Sequence, residues 1–381
     1  MLKSIEERLA RYIPSKSETR ATKLHVSQLT REHLRKTMAF FLAMSKDQAH
    51  VPFQQAGTGT LNTLVLALLT FVADLKPETV IFAMEEPEIA LPPHTQRRIA
   101  DYLLQKTTQA FITSHSPYVI ERFEPRSTLL LTRGDDGIVS AKRVSEAAGL
   151  KDNDYKRYAR RGLTECMLGR GVIVVEGVTE FHALPVAARK ISEADQSLQP
   201  LDIAGVAFFD AESDGPIPKF GTFFQALGLK TFSFYDHKNR KPEEKQKFIN
   251  SFDLDCEHQY SGFEAMITTE MPCDKLWGFL DELRVSGENG NVRIPVPRPS
   301  DDEVKKIAKD ALVSNKGAGW AARLFEDCAV EELPATVVGF LNQVHGFFPK
   351  PTEPISIDEP VAGTPAAVQP LAAKSSFLPP V

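Results

Sequence analysis

At 381 residues, 42% of them apolar, the chain is long enough for two ordinary domains with sizeable cores. No stretch approaches the roughly 20 apolar residues of a membrane span, and the start lacks the apolar segment of a signal peptide. A formal net charge of −5 excludes coating nucleic acid through bulk charge, but a local basic strip or bound cations could still attract DNA. Along the chain, residues 1–50 read as helical, with charged residues between apolar ones and Thr30-Arg-Glu-His33 as a helix start. A loop rich in Gln, Gly and Thr at 54–60 leads into an apolar helix over 61–75. A buried strand at 79–84, a helix at 93–106 and a second strand at 110–113 follow. Strands alternating with helices favour a parallel sheet.

Residues 129–131 and 138–141 predict a hairpin around the turn Gly134-Asp-Asp-Gly137. Residues 142–170, with the basic run Lys156-Arg-Tyr-Ala-Arg-Arg161, read as a helical connector. A second series then begins, with strands at 172–175, 203–209 and 230–235 and helices near 178–191 and 217–228. Polar segments at 238–247 and 285–302 read as loops or insertions. The final stretch from 349 is rich in Pro and Ala, which predicts disorder. Cys166, Cys256, Cys273 and Cys328 show no Cys-x-x-Cys spacing, so they read as reduced thiols of a cytoplasmic protein.

Acids end all three strands of the second series. In Val172-Ile-Val-Val-Glu-Gly-Val-Thr-Glu180, Glu176 closes the strand, Gly177 permits a sharp turn, and Glu180 falls in the first turn of the next helix. Asp210, Glu212 and Asp214 follow the second strand, and Asp236 follows the third. Carboxylates gathered at the carboxyl edge of a parallel sheet make a hard-oxygen pocket suited to Mg²⁺ or Mn²⁺. Glu264 in Tyr260-Ser-Gly-Phe-Glu264 is a further candidate ligand. A positioned lysine could assist charge development at a phosphodiester, and Lys316 in Ser314-Asn-Lys-Gly-Ala-Gly319 is the best candidate. Taken singly, each has a plainer reading: a strand-end Glu is most often a solvated loop residue or helix cap, and Lys316 a surface lysine.

The segment Val-Glu-Gly-x-x-Glu after an apolar strand, with an acid at a later strand end, resembles the Toprim domain of topoisomerases, primases and repair nucleases. With the first half included, residues 50–330 resemble the OLD (overcoming lysogenisation defect) family of ATPase–Toprim nucleases. By that resemblance Glu176 and Glu180 are the first acidic pair, Asp236 opens the usual Asp-x-Asp, and Lys316 is the lysine before a late helix. The second acid of Asp-x-Asp falls on Lys238, a departure that leaves Asp210, Glu212 or Asp214 to complete the site.

The first half resembles part of an ABC-type ATPase. Val80-Ile-Phe-Ala-Met-Glu-Glu-Pro-Glu88 resembles a Walker B strand, so that Glu85 would hold Mg²⁺ and Glu86 would orient the attacking water. Phe111-Ile-Thr-Ser-His-Ser-Pro117 resembles the strand that carries a switch histidine, His115. Gly57 lies in Gln55-Ala-Gly-Thr-Gly59, where an ABC signature would stand ahead of a helix. No Gly-x-x-x-x-Gly-Lys-Ser/Thr loop occurs in the sequence, and that loop supplies the phosphate-cradling amides and lysine.

The expected fold is therefore α/β, a parallel-sheet, Rossmann-like Toprim domain joined to a partial ABC-type ATPase domain. The expected boundaries are 1–141 for the ATPase part, 142–170 for the connector, 171–348 for the Toprim domain and 349–381 for the tail. The resemblance implies a Mg²⁺- or Mn²⁺-dependent DNA endonuclease with two divalent ions and a homodimeric state, with no membrane partner. ATP would bind only together with a missing N-terminal ATPase part, leaving this chain alone without ATPase activity. The alternatives are a Toprim topoisomerase or primase-like enzyme, and a non-catalytic structural ABC-type DNA-repair protein.

Overall fold

The computed structural model describes residues 2–9, 22–26, 38–42, 51–52, 55–75, 81–107, 109–134 and 137–350. The Thr30 helix start and the Pro/Ala-rich tail beyond residue 350 lie outside them. The all-helical expectation for the first 50 residues needs correction. A short helix α1 (Leu2–Leu9) is followed by strands β1 (Thr22–Val26), β2 (Met38–Leu42) and β3 (Val51–Pro52). These form an antiparallel sheet in the order β1-β2-β3. Short apolar runs such as Met38-Ala-Phe-Phe-Leu42 suit a strand as well as a helix turn, and pairing decides between them.

Helix α2 (Thr58–Leu75) runs on from the Gly57 loop. Strand β4 (Ile81–Glu85), helix α3 (Pro93–Lys106) and strand β5 (Gln109–Thr113) then make a parallel β-α-β unit. Leu66, Phe82, Ile99, Tyr102 and Leu103 form its buried cluster. The short helix α4 (Pro117–Ile120) precedes the hairpin of β6 (Leu129–Arg133) and β7 (Val139–Arg143), which falls where the sequence predicts it. The connector holds two short helices, α5 (Asp152–Tyr158) and α6 (Leu163–Cys166).

The second half is built on β8 (Gly171–Val175), α7 (Val178–Ala194), β9 (Val206–Asp210), α8 (Ile217–Leu227) and β10 (Lys230–Tyr235). Helix α9 (Pro242–Asn250) and a fourth strand β11 (Leu254–Glu257) follow, so the expected insertion after residue 238 contains a helix. All four strands are parallel, in the order β11-β10-β8-β9. Every residue of β8 is buried, as a central parallel strand covered on both faces requires. The side chains alternate between two cores. Ile173, Val175, Phe232 and Phe234 join the core built with α7 and the later helices α10 (Phe263–Glu270), α11 (Cys273–Ser286), α12 (Asp301–Ser314), α13 (Trp320–Glu326) and α14 (Ala335–Gly346). Val172, Val174, Phe209 and Tyr235 join the opposite core with α5, α6 and α8. This period of two is the strand geometry itself. It fixes which residues leave the carboxyl edge of the sheet, and there the acids gather.

A candidate metal centre at the carboxyl edge of the parallel sheet

Strand β8 ends on Glu176, and Gly177 caps α7 in an extended conformation. A Cβ on Gly177 would lie 3.5 Å from Glu180 Oε2, so glycine keeps the space beside that carboxylate open. Asp236 leaves the end of neighbouring β10, and its backbone N–H donates to Glu176 Oε2 at 3.3 Å. Glu180 is only 5% exposed. Burial pushes its carboxyl up to about 8, and the charges of Asp236, Glu264 and Glu176 push the same way against a backbone hydrogen bond.

Glu264 enters from the first turn of α10 and is equally enclosed. The Thr179 hydroxyl donates to its Oε1 at 3.0 Å, and the Lys316 ammonium stands 3.2 Å from the same oxygen. A Cβ on Gly262 would meet Glu264 Oε2 at 3.6 Å and Asp236 Oδ2 at 3.8 Å. Both carboxylates therefore face one small space that glycine leaves clear. Sequence reasoning had Glu176, Glu180 and Asp236 as one constellation, with Glu264 and Lys316 as further candidates; the structure places Glu264 and Lys316 beside the other three.

The remaining predicted acids divide. Asp210 is paired in register with Val175, next to the end of β8, and its Oδ1 accepts from the Glu212 N–H at 2.7 Å. Burial raises its carboxyl, against the charges of His182 and Arg161. Glu212 has a left-handed backbone, φ 65°, and is committed to Arg157 at 2.6 Å and to Arg161. It is not brought into the group. Asp214 reaches it through Lys238, whose ammonium lies 3.1 Å from Asp214 Oδ1 and 2.8 Å from Glu176 Oε1. Burial raises the Asp214 carboxyl, but Lys238 and Arg240 outweigh that and hold it below the usual range.

Two residues escaped the sequence reading. His258, just beyond β11, has a fully enclosed side chain with Nε2 3.0 Å from Asp236 Oδ1. The contact is off the line of a good hydrogen bond, which leaves Asp236 Oδ1 a buried oxygen without a well-directed donor. Arg240 bridges Asp214 at 3.2 Å and Glu257 at 2.7 Å. A histidine and an arginine among loop residues carry no pattern that marks them in advance.

The residues present fit a divalent cation. The donors are hard carboxylate oxygens, one of them buried and poorly satisfied, around a space that two glycines keep open. Among the described residues, no three His, Cys, Asp or Glu side chains stand in a ready-made metal arrangement.

In the first half, Glu85 ends β4 and Glu86 follows with φ 42°, a costly conformation for a residue with a Cβ. His115 Nε2 is 3.4 Å from Glu86 Oε1. Glu88, which the sequence reading gave no role, is buried and accepts from the Ser114 hydroxyl at 2.6 Å and the His115 N–H at 3.0 Å. Gly57 lies just ahead of α2, where the Leu61 N–H donates to its carbonyl at 3.0 Å, and nothing would touch a Cβ there.

Comparison with known proteins adds an independent finding. Residues 1–120 match the model of the AAA ATPase domain, and residues 167–237 match that of the "Overcoming lysogenization defect protein-like, TOPRIM domain". No curated protein sequence matches the chain. Among solved structures, the C-terminal region of the Burkholderia pseudomallei OLD protein is 12% identical, with a TM-score of 0.32, covering 47% of this chain and 98% of that one. The C-terminal region of the Xanthomonas campestris pv. campestris OLD protein is 14% identical, with a TM-score of 0.33, covering 48% and 96%. A structure titled for ATP-driven dimerization and DNA-stimulated activation of SMC ATPases is 10% identical, with a TM-score of 0.30, covering 42% and 91%. The chain thus joins an AAA ATPase domain region to an OLD-like Toprim domain, in that order.

Proposed function

We propose that the second half is a Mg²⁺- or Mn²⁺-dependent endonuclease centre that hydrolyses DNA phosphodiesters. The observation that carries this reading is the convergence of Glu176, Glu180, Asp236 and Glu264, with Lys316 at its edge. Four converging acids, of which only Glu176 and Glu264 have an ammonium partner, suit a bound cation. Glu180, its carboxyl raised to about 8 chiefly by burial and further by the three neighbouring acids, would give up its proton more readily beside a cation.

When bound, a divalent ion supplies positive charge against the phosphoryl oxygens and makes a water more acidic. The protein's own residues do the rest. Glu176, Glu180, Asp236 and Glu264 would hold the ion, with the Thr179 hydroxyl donating to Glu264 and the His258 ring packed beside Asp236. Lys316, 3.2 Å from Glu264, stands where its ammonium can face charge growing on the leaving oxygen. In the reaction a water oxygen bonds to phosphorus as the ester P–O bond breaks. The water proton passes to a carboxylate, and the leaving oxygen takes a proton from solvent.

DNA fits as the substrate, with the exposed run of Lys156, Arg157, Arg160 and Arg161 providing local positive charge in an otherwise acidic chain. ATP control would reside in the first half, with Glu85, Glu86, His115 and Gly57 facing nucleotide once a Walker A loop is supplied, and the chain would work as a homodimer in the cytoplasm. The boundaries at 141, 170 and 348 go with this reading. The test is nicking of supercoiled plasmid with Mn²⁺ or Mg²⁺. Glu176→Ala and Asp236→Ala should each lose at least about a hundredfold in rate, and parental rates in both variants would end the proposal.

A further inference from the structure

Where the Toprim resemblance calls for a second acid two residues after Asp236, the chain carries Lys238. The side chain does not turn away into solvent. Its ammonium stands 2.8 Å from Glu176 Oε1 and 3.1 Å from Asp214 Oδ1, so it bridges acids from the ends of two different strands. Its one positive charge is thus shared between two carboxylates that face it directly.

We infer that the Lys238 ammonium is a built-in cation in place of a second divalent ion, so that this Toprim centre takes one metal ion and not two. The inference rests on the metal-centre reading above and narrows it. Glu176 has two oxygens with separate duties: Oε1 meets Lys238, while Oε2 accepts from the Asp236 N–H and faces the other acids. A second divalent ion drawing on Glu176 Oε1 and Asp214 would meet an ammonium that already holds both, and Glu212 is committed to Arg157 and Arg161. Arg240 secures the arrangement from the far side, with its guanidinium on Asp214 at 3.2 Å and on Glu257 at 2.7 Å, and its side chain is only 6% exposed. Asp214 is thereby a partner for fixed cations on both oxygens. A lysine brings one positive charge where a divalent ion brings two, and it offers no Lewis acidity. It is a positioning and charge-balancing residue, always present and independent of metal supply.

The measurement is the number of Mn²⁺ ions bound per chain, by calorimetry and by electron paramagnetic resonance of free Mn²⁺, on the full chain without nucleic acid. The parent should bind one ion. Lys238→Asp restores the second acid and should bind two, and Lys238→Ala, which frees Glu176 Oε1 and Asp214, should gain a weaker second ion. Lys238→Arg should stay at one. Two ions in the parent, or one in both Lys238→Asp and Lys238→Ala, would overturn the inference and leave the metal centre standing. No bound ion in the parent would remove the metal centre itself, and the inference with it.

Discussion

His258 Nε2 lies 3.0 Å from Asp236 Oδ1, and the imidazole side chain is completely shielded from solvent. The Tyr260 N–H donates to Nδ1 at 3.3 Å and so holds the ring in place. The Phe234 ring packs beside it, 5.1 Å between centroids. A buried ring packed against the carboxylate limits where the Asp236 side chain can move. His258→Ala is expected to weaken Mn²⁺ binding about 10- to 100-fold. Calorimetry checks this, and a change under twofold would mean that His258 is only core packing.

Glu180 sets a pH dependence. Its carboxyl is raised from 4.5 to about 8 in the metal-free fold, chiefly by burial. The native state therefore holds a proton that the unfolded chain gives up above pH 4.5, and stability falls as pH rises from there towards 8. Glu180→Gln carries no such cost. Without metal, the variant's Tm should exceed the parent's at pH 8–9, and the two should converge near pH 4. Mn²⁺ affinity of the parent should rise over the same window as the ion displaces the proton. Equal melting curves at pH 9 would contradict this.

How much of this was legible in the sequence follows from the residues themselves. The run of four apolar residues before Glu176 is long and uniform enough to mark a buried strand, and Gly177 marks its end. Asp236 was equally plain after Thr231-Phe-Ser-Phe-Tyr235. By contrast, β11 reads Leu254-Asp-Cys-Glu257, a polar edge strand paired only with β10, so its pattern resembles a loop. His258 is positioned by that strand and was hidden with it. The departure at Lys238 was visible, but its bridge to Asp214 depends on β9 and β10 lying on either side of β8. Strand order of that kind is a property of the assembled sheet.

Gly262 gives a prediction about space. Its φ of 174° is ordinary extended backbone, so alanine strains nothing there. The added Cβ would sit 3.6 Å from Glu264 Oε2 and 3.8 Å from Asp236 Oδ2, in the volume a cation needs. Gly262→Ala should melt within a degree or two of the parent and bind Mn²⁺ at least about tenfold more weakly. Unchanged affinity would place the ion elsewhere.

For nucleotide, the absence of Gly-x-x-x-x-Gly-Lys-Ser/Thr from the sequence decides the expectation. Glu85, Glu86 and His115 lack the backbone cradle and lysine that hold a triphosphate. The purified chain should release no phosphate from ATP above background, with or without Glu86→Gln. Turnover that Glu86→Gln abolishes would contradict this.

The central claim is that Glu176, Glu180, Asp236 and Glu264 hold a catalytic cation, and its most direct test is a crystal structure of the chain with Mn²⁺, read by anomalous scattering. A peak should appear with oxygens of these carboxylates at about 2.0–2.5 Å, and it should be lost in Glu176→Ala. A peak bound elsewhere, or none at a concentration that supports plasmid nicking, would contradict it.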